Sequence, residues 1–472
     1  MIEDKEDDMA TVTSYGAAQM VTGSCHLLEI DNIKILIDCG LFQGSAEHKN
    51  SEPFGFDARE IDFLILTHGH LDHIGRVPKL VKEGFNGFIV ATKATIDIAS
   101  IMLLDAAKIQ QEDYKTLLRQ AKRRGEEASV LEPLYTIDDV NDTFKRGRKP
   151  AHYDKALKLS KSVSVTFKEA GHILGSAFVE IDYHDNGVDR RVVFSGDIGS
   201  KERLVIDGLV YGSKTNTLFV ESTYGDRVHK DLDESIAEFR KAIIETVKRG
   251  GNVMIPSFAL ERTQEILVLL KQMFEEGLLE DCKVFLDSPL AIKATNLYKH
   301  YPKLLNEENE VNSILGNNPF AFDILKLTQS PSQSMTINAV KRRAIIIAGS
   351  GMCTGGRILH HFKHRLWDDK NALIFVGYQV GGTLGRKIVD GAEFVYVRGE
   401  KIAVKAKIHT INGFSAHGDR EDLLDWIAHF EGLENIYLIH GEADKAEIFR
   451  KTIIEKLHIK THVVKEREHI HI

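Results

Sequence analysis

The sequence predicts an α/β protein of more than one domain, on three observations. At 472 residues the chain exceeds one ordinary domain, and a hydrophobic content of 43% is ample for two cores. Its opening third alternates short apolar runs with glycine turns. From about residue 213 the rhythm changes to strand and helix in strict alternation, which means βαβ units and a parallel sheet.

Taken in order, apolar runs over 33–37 and 61–66 read as strands that each end in a polar turn. Over 93–124 the apolar residues Ile96, Ile98, Ile101, Leu104 and Ile109 fall at helical spacing, so a long helix covers one face. Residues 125–160 are charged and less periodic, as expected of surface helices and loops. A strand over 163–167 leads to a hairpin, 177–183 paired with 190–194 around Asp185-Asn-Gly187. After a strand at 217–220 come helix 233–248, strand 252–255, helix 260–274 and strand 283–286. Strand 344–347, helix 356–366 and strand 372–376 continue the pattern, and strands at 405–410 and 436–439 flank a helix that starts at Asp419.

Composition excludes several classes. Residues 1–8 are acidic and polar, without the cationic start and apolar stretch of a signal peptide, and nowhere do 18 apolar residues run uninterrupted. The expectation is a cytoplasmic protein with no membrane partner. Cys25, Cys39, Cys282 and Cys353 are scattered with no CxxC pair, which argues against both a disulfide framework and a thiolate metal site. A net charge of −8 counts against a nucleic-acid footprint, although basic residues cluster at 341–343, 360–365 and 386–387.

The chemistry concentrates in His68-Gly-His-Leu-Asp-His73, directly after the apolar run 61–66. Three imidazoles and a carboxylate in six positions form a metal-site pattern. His68 and His70 can serve one cation while Asp72 and His73 serve an adjacent one. Imidazole nitrogen with carboxylate oxygen suits zinc, and manganese or iron less well. Further polar groups stand where strands give way to glycine turns: Asp38, His172, Asp197 and His440. Asp38 suits the orienting role that ligating histidines need, or is an ordinary turn aspartate.

On these residues the chain resembles the metallo-β-lactamase superfamily, and within it the β-CASP ribonucleases of the mRNA 3′-end-processing endonuclease type. The superfamily pattern of a strand-end Asp, HxHxDH, His and Asp matches Asp38, His68 to His73, His172 and Asp197; the β-CASP additions match Glu221, His417 and His440. The resemblance implies an α/β/β/α sandwich with an inserted parallel-sheet β-CASP domain, divided as 1–212, 213–390 and 391–472. It also implies two zinc ions per chain. His68, His70 and His172 would hold one, Asp72, His73 and His440 the other, with Asp197 bridging. Two dications would offset four of the negative charges. RNA-cleaving members carry histidine at the position of His440 and DNA-cleaving ones valine, so single-stranded RNA is the expected partner.

The loop Gly349-Ser-Gly-Met-Cys-Thr-Gly-Gly356 fits loosely a dinucleotide-binding turn, but the next strand ends in Gly377-Tyr378 and not in the acidic residue that holds a ribose. What survives is phosphate binding by free backbone N–H groups at a helix start, with a plain loop role as the alternative. Ser350, Thr354, Gly355, Arg357, Arg386 and Ser415 are accordingly the candidate substrate-binding residues. The expected reaction is hydrolysis of RNA phosphodiester bonds in RNA processing or decay. Asp72 serves the metal chemistry, and His417, oriented by Glu221, donates the proton to the leaving 3′-oxygen. Endonucleolytic and exonucleolytic cutting both fit, as does a homodimer. The rivals are a small-molecule hydrolase, whose chemistry needs neither Glu221 nor His417, and a non-catalytic RNA-binding scaffold, against which a complete ligand set argues.

Overall fold

The computed structural model describes residues 10–125, 132–185, 187–306 and 318–472. The acidic start at 1–8, residues 126–131 and the hairpin's Asn186 lie outside the described residues. The chain divides into two compact units: the first comprises residues 1–201, 208–228 and 417–472, the second residues 202–207 and 229–416.

In the first unit, one seven-stranded sheet runs in the order His469–His471, Thr11–Ser14, His26–Ile30, Ile33–Ile37, Phe63–Ile65, Phe88–Thr92, Arg148–Ala151. The other runs Lys460–Val463, Asn435–Ile439, Thr217–Glu221, Val188–Phe194, Ala177–Asp185, Val163–Glu169, Leu157–Lys158. Successive side chains of a strand point to opposite faces, and both faces here are apolar. Leu28, Ile35, Ile65 and Val90 of the first sheet meet Val165, Val179, Val192 and Phe219 of the second in one buried cluster, so the sheets pack face to face. Their sequence neighbours Leu27, Leu36, Leu64 and Ile89 point outward and pack under the helices Lys93–Arg124, Val77–Lys82 and Ile137–Lys145. On the far side Phe178, Val193, Leu218 and Leu438 lie under Arg420–Ala428 and Ala443–Leu457. This is the α/β/β/α sandwich expected from the sequence.

The second unit is built on six strands, all parallel, in the order Leu325–Leu327, Lys283–Leu286, Ala344–Ala348, Val253–Pro256, Ala372–Phe375, Lys407–Thr410. Ala344–Ala348 is buried at every position, as a parallel strand covered on both faces must be.

The units differ from the expected divisions at 212/213 and 390/391. Thr217–Glu221, expected to open the inserted domain, pairs in parallel with Val188–Phe194 on one side and Asn435–Ile439 on the other, so it belongs to the first unit. Lys407–Thr410, expected in the resumed hydrolase domain, is the edge strand beside Ala372–Phe375 in the second. Arg148–Ala151, read as part of a loop region, is an edge strand; three of its four residues are Arg, Lys and Pro, and a proline is tolerated there because an edge strand has an unpaired side.

Candidate metal centre

Every residue of this centre belongs to the first unit. The strand Phe63–Ile65 ends inside the sheet, and Thr67 and His68 follow fully buried. His70 is the N-cap of the single-turn helix Leu71–Ile74, which carries Asp72 and His73 in its first turn. Backbone bonds staple that turn to the neighbouring strand end: Ser24 N–H donates to Asp72 O and Cys39 N–H to His73 O, each at 2.8 Å. Gly40 is required here, since a Cβ on it would sit 1.6 Å from Asp72 O.

Two donor groups converge. His68 Nε2 and His172 Nε2 lie 3.2 and 3.1 Å from His70 Nδ1, and 3.4 and 3.5 Å from Asp197 Oδ2. His73 Nε2 lies 3.3 Å from His440 Nε2 and 3.2 Å from Asp197 Oδ1, and His440 Nε2 lies 3.6 Å from Asp72 Oδ2. Four donors about 2.0–2.1 Å from a tetrahedral ion are separated by roughly 3.4 Å, which is the spacing found. Asp197 gives one carboxylate oxygen to each group, and its Oδ1 is buried without a hydrogen-bond donor. A buried carboxylate oxygen is rarely left so unless a cation completes it. The donor set therefore fits metal ions.

Electrostatics agree. Burial keeps His68 well below the usual imidazole range and brings His70 down to about 4, so both present neutral nitrogens at pH 7. Burial works against ionisation of Asp197, but His440, His73 and His68 outweigh it and hold the carboxyl well below its ordinary range.

Around the donors stands a ring of orienting contacts. Asp38 Oδ2 lies 2.7 Å from His73 Nδ1, and Asp38 accepts from Thr67 N–H at 2.9 Å and from the Thr67 hydroxyl. Thr67 was not singled out in the sequence, although it immediately precedes the motif. Nor was Thr223, whose hydroxyl lies 3.2 Å from His440 Nδ1. Asp38 (φ 60°) and His440 (φ 47°) adopt left-handed backbone conformations that cost a non-glycine residue roughly 1–3 kcal/mol, a strain that gathers at functional sites. His417 Nδ1 lies 3.1 Å from each oxygen of Glu221, which also accepts from Ile198 N–H at 2.6 Å, and 3.9 Å from Asp197 Oδ2. Burial opposes the charge on His417, but Glu221 and Asp197 raise it to about 9.

The chain is similar to known proteins along most of its length. The metallo-beta-lactamase superfamily pattern matches residues 20–255, the Beta-Casp domain residues 263–388, and the Zn-dependent metallo-hydrolase RNA specificity domain residues 401–464. "Ribonuclease TTHA0252" of Thermus thermophilus is 39% identical over 92% of this chain and 94% of its own. "Transcription termination factor FttA" of Methanocaldococcus jannaschii is 32% identical over 96% of this chain and 70% of its own. The chain belongs to the β-CASP ribonuclease family of the metallo-β-lactamase superfamily. As a β-CASP protein it is a metal-dependent hydrolase. A solved structure from Enterococcus faecalis V583, a protein of unknown function, shares the fold with a TM-score of 0.54 at 12% identity, over 98% of this chain and 100% of its own.

The remaining expected residues lie in the second unit, Ser350, Thr354, Gly355, Arg357 and Arg386 within the Beta-Casp match and Ser415 within the RNA-specificity match. Ser350 Oγ accepts from Thr354 N–H (3.1 Å) and Gly355 N–H (3.2 Å), so the serine closes its own loop. Arg357 has partners within its own unit. Its guanidinium donates to Asp287 Oδ1 at 2.7 Å and to the carbonyls of Thr328 and Gln329 at 2.8 Å, contacts that hold it against its own unit. Arg386 pairs with Asp390 at 2.7 Å, and the Ser415 carbonyl accepts from Arg203 at 3.0 Å. Among the described residues no helix is long and apolar enough to cross a membrane.

Proposed function

We propose that this β-CASP protein is a zinc-dependent ribonuclease that hydrolyses phosphodiester bonds of single-stranded RNA with two ions per chain. The observation that carries the reading is the division of Asp197 between two donor groups, Oδ2 beside His68 and His172 and Oδ1 beside His73. His68, His70 and His172 would hold one ion, Asp72, His73 and His440 the other, with Asp197 shared; Asp38 would fix the ring of His73. When bound, the ions supply hydroxide at neutral pH and neutralise charge on the phosphate. The ribonuclease name of the relative from Thermus thermophilus and the RNA-specificity description of the 401–464 match favour RNA as substrate.

The protein's own contribution is at the leaving group. Glu221 holds His417 through Nδ1 and stabilises its protonated form, so Nε2 is the atom that gives the proton to the departing 3′-oxygen. The imidazole keeps 20% of its surface exposed while Glu221 is fully buried, an arrangement suited to a donor facing substrate and a fixed partner behind it. Neither residue is needed by a small-molecule hydrolase of the superfamily. The test is purified protein incubated with 5′-labelled single-stranded RNA with and without chelator. A product ladder that disappears with chelator and returns with zinc supports the reading, and an unchanged ladder in chelator overturns it.

A further inference from the structure

The second unit carries a two-stranded ribbon, Phe394–Val397 paired with Glu400–Ala403, whose two faces differ sharply. Val395 and Val397 point inward and are buried in an apolar cluster with Phe362 and Leu373. Phe394 and Tyr396, on the opposite face by strand alternation, are 45% and 62% exposed. Two large aromatics held outward side by side by a fixed strand, rings 6.1 Å apart, are not explained by the core. A cavity of about 420 Å³ between this strand and the helix Leu384–Val389 is lined by both rings and by Lys387, giving room for a planar group beside them.

Four cations stand near the rings. Lys401, directly opposite Tyr396, lays its ammonium 3.7 Å from the Phe394 ring centre. Lys387, Arg398 and Lys405 are exposed nearby, and among the described residues none of these four cations forms an ion pair. Of the neighbouring acids, Glu400 pairs with Lys363 and Asp390 with Arg386, while Glu393, the residue before Phe394, is exposed. Arg398 occupies the ribbon's turn at φ 50° beside Gly399 at φ 85°, positions where asparagine and glycine are the easy choices. A long cation is thus held at the ribbon tip at some conformational cost.

We propose that this ribbon is an accessory binding surface for unpaired nucleic acid, with bases stacking on Phe394 and Tyr396 and phosphates held by Lys387, Arg398, Lys401 and Lys405. Exposed aromatic rings ringed by unpaired cations are the combination that binds single strands without sequence preference. In a chain of net charge −8, such a surface gives a polyanion a local foothold. The inference rests on the ribonuclease reading and deepens it by adding a second point of attachment for long substrates, on a different unit from the residues that would hold the metals.

The experiment uses the metal-loaded full chain and two readouts. Fluorescence anisotropy with a labelled 20-mer of oligodeoxythymidine reports binding, and steady-state hydrolysis of 6- and 30-nucleotide RNAs reports KM and kcat. Phe394→Ala/Tyr396→Ala should weaken 20-mer binding about thirty-fold or more, as expected for two lost stacking contacts. It should also raise KM for the 30-mer, with kcat and the 6-mer unchanged. Lys387→Ala/Lys401→Ala should lower the slope of log affinity against log salt by about 1.4, for two phosphates released. Unchanged 20-mer binding in both double variants overturns the proposal, as does an equal defect on the 6-mer and the 30-mer. So does a wild-type dimer that becomes monomeric in light scattering when Tyr396 is changed to Ser, because the face would then belong to a second copy. If the wild type cleaves no RNA while 20-mer binding still depends on the two rings, the ribonuclease reading falls and the binding surface stands.

Discussion

Glu221 and His417 stand 196 residues apart in the chain, and both carboxylate oxygens of the one lie 3.1 Å from Nδ1 of the other. Thr217–Glu221 sits within the second sheet of the sandwich, and His417 is the residue at which the chain re-enters the same unit. His417→Ala should therefore lose roughly a hundred- to ten-thousand-fold in rate, the usual worth of general acid catalysis, while keeping its metal. A substrate with a 3′-bridging sulfur needs little protonation on leaving and should recover much of that rate. An equal defect on both substrates would show that His417 is not the acid.

Asp38 is expected to act through His73. Removing an outer partner of a ligating histidine typically costs ten- to a hundred-fold in metal affinity, so Asp38→Ala should weaken zinc binding by about that factor. Competition against a zinc-chelating dye measures it, and wild-type affinity in the variant would return Asp38 to the status of a turn residue.

RNA should be cut and DNA be a poor substrate, on the histidine at position 440. His440 Nε2 lies within 3.6 Å of both His73 Nε2 and Asp72 Oδ2, so a valine there would remove a proposed metal ligand as well as changing the motif. Side-by-side rates on matched RNA and DNA oligonucleotides decide the matter, and comparable rates defeat the assignment.

Much of the centre was legible because its ligands sit at strand ends, where an apolar run gives way abruptly to a polar glycine turn. His68 to His73 occupy six consecutive positions, so chain proximity alone brings them together. Glu221 and His417 became meaningful only through the family pattern, since nothing local in either segment announces a partner 196 residues away. The partner of Arg357 was out of reach for the same reason: Asp287 is 70 residues distant, and a loop arginine reads as free until the fold supplies its acid. The compact units differ from the expected divisions because parallel pairing of Thr217–Glu221 with Asn435–Ile439 leaves no trace in either strand's composition.

Asp287 itself makes a prediction about stability and pH. Burial opposes its charge, but hydrogen bonds from His361, Ser334, Thr328 and Arg357 outweigh that and depress its carboxyl well below the ordinary value of 3.8. A carboxyl depressed in the folded state contributes stability that is present above about pH 4 and lost as the pH falls below it. Asp287→Asn should therefore cost roughly 3 kcal/mol at pH 7, as for a buried pair left with one partner. The gap from wild type should hold between pH 5 and 7 and narrow below pH 4. Denaturant midpoints across that range test it, and a gap that widens on acidification would contradict the sign.

On the proposed reading Asp197 joins two metal sites. Metal content of the purified chain by plasma mass spectrometry, read for wild type, His68→Ala and Asp197→Ala, tests it most directly. Two zinc ions per chain are expected in the wild type, with loss of at least one together with RNA cleavage in His68→Ala and depletion of both in Asp197→Ala. Two retained ions in Asp197→Ala, or full RNA cleavage by metal-stripped wild type, would contradict it.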